Sequence, residues 1–113
     1  MSARSYCPDR GDVVWLQFNP QCGHEQAGLR PALVVSPRSY NSKVGLALFC
    51  PITSQAKGYP FEVVLADNSI KGVILSDQLK SLDWKSRNIR FICNVNQSII
   101  NQVIGKFNTL LIP

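Results

Sequence analysis

The spacing of turn signals constrains this chain more than any other feature. Short apolar runs rich in β-branched and aromatic residues recur between polar stretches of Gly, Pro, Asn and Ser. VVWLQF (13–18) comes first, followed by a polar, Gly-containing loop over 19–30 and then PALVVS (31–36). Pro37, Asn41 and Gly45 punctuate the next turn before VGLALFCPI (44–52), which TSQAKGYP closes. FEVVLA (61–66), GVILSD (72–77), LKSLDW (79–84) and IRFICN (89–94) continue the series. Such runs favour strands, because branched side chains pack well on a pleated surface and the punctuating residues suit turns.

The period changes at the end. In NQSIINQVIGKFNTLL (96–111), Ile99, Ile100, Val103, Ile104, Phe107, Leu110 and Leu111 recur three and four residues apart. That spacing makes one apolar stripe on a helix, with Asn94 or Asn96 suited to cap its first turn. Six or seven short strands and one C-terminal helix predict a mainly β fold, a small antiparallel barrel or highly curved sheet. With 113 residues the chain suits a single domain over 1–113, able to bury roughly two thirds of its unfolded surface.

Composition narrows the partners. Twelve Lys and Arg against seven Asp and Glu give a net charge of +5, which favours polyanions. Only 17% of residues are charged, below the ~25% usual for soluble domains, so exposed apolar surface is expected, to be covered by a partner or a second copy. The longest apolar run, VGLALFCPI, is too short to span a bilayer, and the first residues lack the apolar segment of a signal peptide, so a cytoplasmic location without membrane attachment is expected. Cys7, Cys22, Cys50 and Cys93 form no CxxC pair and have one His to join them, so no metal site is expected. Cys50 and Cys93 read as small core residues. A Cys7–Cys22 disulfide is conceivable, but a cytosolic chain keeps both reduced.

GHEQAGLRP (23–31) gathers His24, Glu25 and Arg30 in one loop. Two further loop groups stand out, Thr53, Ser54 and Lys57, then Asp77 and Gln78. Together they offer what metal-free RNA cleavage needs. A carboxylate can take the 2′-OH proton, an Arg presents paired donors and fixed charge to the phosphate, and a hydroxyl adds a donor. DNA lacks the 2′-OH and would be spared. Each group also has a plainer reading: Glu25 with Arg30 as a surface ion pair, His24 as an exposed loop histidine, Thr53 and Ser54 as turn residues, Asp77 as a turn cap. Trp15, Trp84 and Phe61 read as core or dimer-face residues, although an exposed aromatic can stack on a base. Lys57, Lys80, Lys85, Arg87 and Arg90 read as solvated. The residues alone support a small basic β-barrel able to bind nucleic acid.

Taken in order, GDVVWLQFNP, EQAGLRPALVVSP, YNSKVGLALFCPITSQAKGYPFEVVL, GVILSDQLKSLDW and the closing amphipathic helix resemble the MazF/PemK family of toxins from bacterial toxin–antitoxin modules, over roughly residues 9 to 111. The resemblance implies an SH3-like barrel with a C-terminal helix, of the kind seen in Kid and CcdB, assembled as a homodimer. It also implies an endoribonuclease that works without metal or other cofactor. Such an enzyme cuts single-stranded RNA, chiefly mRNA, at a short sequence. It leaves a 2′,3′-cyclic phosphate and a 5′-OH, and so stops translation and growth. A cognate antitoxin would lay an acidic C-terminal tail over the RNA groove. Carried over by motif, the resemblance places the catalytic Glu on Glu25, the Arg on Arg30 and a phosphate-contacting hydroxyl on Thr53, with Ser54 and Gln55 beside it. It places the RNA-facing loop on Lys57, Gly58 and Tyr59, and a D-Q pair on Asp77 and Gln78. His24 stands next to the Glu, where small residues are common in the family. The PemK/Kid subgroup carries an Arg two residues before that Asp; here the position is Leu75, so the transition-state role falls on Arg30. Two alternatives use the same barrel: a gyrase-inhibiting toxin like CcdB, and a non-catalytic RNA- or antitoxin-binding module.

Overall fold

A computed structural model describes residues 6–18, 28–67 and 69–112. Seven strands form one curved antiparallel sheet: β1 (Asp12–Gln17), β2 (Leu29–Val34), β3 (Leu46–Thr53), β4 (Glu62–Ala66), β5 (Lys71–Leu75), β6 (Lys80–Asp83) and β7 (Arg90–Asn94). Among the described residues, two helices, α1 (Arg38–Val44) and α2 (Gln97–Asn108), and a 3-10 turn at Trp84–Ser86 accompany the sheet. The spatial order is β4-β5-β3-β2-β1-β7, and β6 joins β3 off that path. The mainly β architecture with a C-terminal helix is the one the sequence predicts.

β3 is shared. One edge pairs with β2 from Phe49 to Pro51. The other pairs with β6 from Leu46 to Phe49, then with β5 at Ile52 and Thr53. Pro51 has no N–H to give a ladder, and it sits in the gap where neither β6 nor β5 is paired. At the same point the sheet folds over. Gly72 on β5 allows the closing contact: a Cβ there would lie 2.5 Å from the Thr53 carbonyl oxygen.

Both faces of the central strands are buried, which is why their sequences alternate only in part. Val13, Leu33, Cys50 and Ile52 point into a core shared with Val63, Leu65, Ile74 and Val103 of α2. Val14, Leu16, Ala32, Val34 and Phe49 fill a second core capped by Trp84. Burial pushes the Cys50 thiol up to about 12, with the Asp77 charge adding to the effect, so it stays a neutral packing group as expected. Cys93 packs on the edge of the first core.

Asn96 rather than Asn94 caps α2, accepting the Ile99 N–H at 3.1 Å, while Asn94 donates to Asp12. α1 is the element that sequence patterning misses. Five of its seven residues, Ser39, Tyr40, Asn41, Ser42 and Val44, are weak helix formers, and Gly45 at φ 80° ends it by donating to the Asn41 carbonyl. Its stability comes from one fully buried side chain. The Asn41 amide donates to the carbonyls of Pro8 (2.8 Å) and Ser36 (2.9 Å), and its Oδ1 accepts the Ser36 hydroxyl at 2.5 Å. Its main-chain carbonyl accepts the Trp84 indole N–H at 3.1 Å. Among the described residues no helix is long and apolar enough to cross a membrane.

Arg87 departs from its expected solvated state. Its guanidinium donates to the carbonyls of Gln17 (3.1 Å) and Phe18 (2.7 Å) and pairs with Asp83 at 2.8 Å. Its own carbonyl accepts the Gln17 N–H. The 3-10 turn is thereby tied to the end of β1.

Asn41→Ala should lower stability by about 2–4 kcal/mol, since it strands two buried carbonyls and a hydroxyl. Urea denaturation should show a lower midpoint with an unchanged slope.

Candidate functional site

The β2–β3 register builds the site. Ala32 pairs with Pro51; Arg30 and Thr53 each lie two residues further along their antiparallel strands, so they end side by side at the same rim of the sheet. Arg30 is thus a strand residue, paired with Leu16, rather than a member of the loop where sequence patterning puts it. Thr53 is the last residue of β3, and its backbone pairs with Val73. The Thr53 Oγ1 accepts the Gln55 N–H at 3.1 Å, which leaves its own hydrogen to donate.

A groove of about 340 Å³ opens at this rim, lined by Arg30, Thr53, Gln55, Lys57, Tyr59, Glu62, Leu75 and Gln78. The site groups at Arg30, at 53–57 and at Gln78 therefore converge. Leu75 lies in the groove wall, so the absent Arg of the PemK/Kid pattern leaves an apolar surface in its place. Asp77 is not a wall residue. It sits behind Tyr59, whose hydroxyl donates to its Oδ2. Ser54 faces a neighbouring hollow of about 350 Å³, which also contains Arg30 and Thr53. His24 and Glu25 lie outside the described residues.

The loop between β3 and β4 is pinned from three sides. Glu62 accepts the N–H groups of Lys57 (2.9 Å) and Gly58 (3.2 Å) on its two carboxylate oxygens. The Tyr59–Asp77 bond holds the aromatic ring against Phe61, with centroids 5.8 Å apart. Lys106 of α2 donates to the Pro60 carbonyl at 2.7 Å. Asp77 raises the Tyr59 phenol above its ordinary value, first by accepting its hydrogen bond, so the ring keeps its proton through the neutral range. These contacts present the Lys57 ammonium and the Tyr59 ring on an ordered loop.

Sequence reasoning did not single out Glu62. The available signal was its place at the start of a strand, two residues after the KGYP turn, where outward-facing positions alternate with buried Val63 and Leu65. Trp15, read as a core or dimer-face residue, is 41% exposed and lines the neighbouring hollow. Among the described residues no three His, Cys, Asp or Glu side chains gather as metal ligands do. Fixed cations and hydroxyl and amide groups on a concave rim suit an anionic, hydrogen-bonding polymer.

Comparison with known proteins agrees with that chemistry. A family model described as "PemK-like, MazF-like toxin of type II toxin-antitoxin system" matches residues 9–111. The endoribonuclease toxin MazF of Escherichia coli K12 is 46% identical over 106 residues, covering 94% of this chain and 96% of that protein. The crystal structure of MazF from Deinococcus radiodurans superposes with a TM-score of 0.85 at 50% identity, covering 95% of this chain and 98% of that one. A MazE–MazF crystal structure from the same organism gives 0.84 at 44% identity, covering 95% and 97%.

Glu62→Ala should free the Lys57–Gly58 backbone. Trypsin should then cut after Lys57 about tenfold faster, the equivalent of one charge-assisted hydrogen bond, with the thermal midpoint of the barrel little changed.

Proposed function

The chain belongs to the PemK-like, MazF-like toxins of type II toxin–antitoxin systems, and from that premise we propose that it is a metal-independent endoribonuclease that cuts single-stranded RNA. The observation that carries this reading is the convergence of Arg30 and Thr53 with Lys57, Tyr59 and Gln78 in one groove, in a chain closely similar to a protein named an endoribonuclease toxin.

The chemistry follows from the groups. Glu25 takes the proton of a ribose 2′-OH, and the freed oxygen attacks the adjacent phosphorus. Arg30 meets the equatorial oxygens as they gather charge, with two donors in one plane. Thr53 donates its hydroxyl hydrogen to the same phosphate. The P–O5′ bond breaks and the departing oxygen takes a proton from a solvent water, while the Arg30 guanidinium neutralises the charge on that side. The products are a 2′,3′-cyclic phosphate and a 5′-OH end. Arg30 is followed by Pro31 and anchored in the β1–β2 ladder, so its backbone is set before substrate arrives. Ser54, Gln55, Lys57, Tyr59 and Gln78 contact the strand, Asp77 holds Tyr59 in place, and His24 borders the base.

The partners follow from surface chemistry. The basic rim suits RNA, and it suits the acidic tail of a cognate antitoxin that would compete for it. The protein acts in the cytoplasm, where its substrate is. It works as a homodimer, and the exposed Ile104, Leu110, Leu111 and Tyr40 around α1 and α2 supply an apolar face for the second copy.

Purified protein should cut single-stranded RNA in excess EDTA. Glu25→Ala and Arg30→Ala should each lower cleavage by about 10²–10⁴-fold while the dimer persists in size-exclusion chromatography. Sequencing of 5′-OH ends after brief induction should show one short recurrent word. Intact mRNA with damaged DNA would point instead to gyrase inhibition, and full activity in both variants would end the assignment of roles.

A further inference from the structure

Arg30 and Thr53 line two hollows, and the second has no assigned role. It is about 350 Å³ in size, and beyond the shared pair its walls include Trp15, Pro31, Ser54 and Lys71. Trp15 is 41% exposed, although its neighbours Val14 and Leu16 are wholly buried. The exposed part of the Trp15 ring lies beside a cationic rim, where a stacking partner with a neighbouring negative charge can meet both. In the β1–β7 ladder Trp15 stands opposite Arg90, and opposite residues of antiparallel strands emerge on one face. Lys71, at the start of β5, adds a second exposed cation from the other side.

Resting on the ribonuclease reading, we propose that this hollow is a nucleotide subsite. It seats one unpaired base of the RNA strand on the Trp15 ring and the adjoining phosphate on Lys71, next to the scissile bond. The strand crosses the Arg30–Thr53 pair and occupies both hollows. Their chemistries differ. Gln55 and Gln78 give the first groove directional amide groups able to read base edges. The second offers a π-face and positive charge, which accept any base. The Trp15 subsite therefore sets affinity and leaves the recognised word alone.

The test uses the whole chain and a mixed-sequence 12-nucleotide RNA carrying 2′-methoxy groups, which cannot be cut by 2′-OH attack. Tryptophan emission should be quenched on binding, with the buried Trp84 as a constant background. Trp15→Ala should abolish the quench and weaken binding by about 5- to 150-fold. On cleavable RNA its KM should rise by the same factor, with kcat within about twofold and the same 5′-OH word. Trp15→Phe, which keeps an aromatic face, should recover most of the lost affinity. Lys71→Gln should reduce the slope of log affinity against log salt by about 0.7, the value for one phosphate of a single strand. Unchanged affinity and KM in a folded Trp15→Ala, or a fall in kcat alone, would overturn the subsite. So would quenching by poly-glutamate but not by RNA, which would make the hollow an acidic-peptide site. Quenching by RNA in a wild-type protein that generates no 5′-OH ends would uphold the subsite and sink the ribonuclease reading instead.

Discussion

The fold depends on one strand bonding three others. β3 bonds β2 along one edge, while its other edge is divided between β6 and β5. The change of partner falls at Cys50 and Pro51, and a proline, which has no ladder donor to lose, fits that gap. The residues after it, Ile52 and Thr53, pair with β5. The residues before it, Phe49 and Ala47, stay in the core under Trp84. Without the change of partner the chain would be an open sheet with a long bare edge, a surface that recruits other strands. Closure removes most of that edge and forms a rim.

The groove is a product of the same geometry. Register places Arg30 opposite Thr53, one on each side of the β2–β3 seam, and the bend at Pro51 turns this end of β3 toward β5. Gly72 lets β5 approach so closely that any side chain there would collide with the Thr53 carbonyl. The two residues assigned to the phosphate therefore stand on strands, whose positions are held by ladder hydrogen bonds. The residues assigned to strand contact stand on a loop that Glu62, Asp77 and Lys106 tie down. A donor that must meet a developing charge gains from a rigid base, and a surface that must fit a polymer gains from a loop.

Much of this was legible in the sequence. The seven strands, the closing helix and the grouping of Arg30, Thr53, Lys57 and Gln78 follow from apolar runs, turn residues and familiar motif order. What escaped was decided by long-range contact. α1 has no helical signal, because its stability comes from Asn41 reaching Pro8 and Ser36. Arg87 looks like any surface cation until the end of β1 brings two carbonyls to it. Motif order placed Asp77 with Gln78 in the site, and the bond it accepts from the Tyr59 hydroxyl came into view only with the fold. The exposure of Trp15 was equally hidden, since a partly alternating run does not say which of two packed faces a residue lacks.

Stability and chemistry are separable in this molecule because they lie in different places. The buried polar network around Asn41, Ser36 and Trp84 serves the core, and its groups are satisfied by one another. The cations of the rim are exposed, so they have little desolvation cost to recover and contribute little to folding. Arg30 and Lys57 are exposed and have no ion-pair partner among the described residues, so they are charges that a polyanion can use. The consequence is a fold whose active rim can lose its charge without losing its barrel. An acidic tail laid across that rim would silence it by occupying the same positive surface, with no change of fold required.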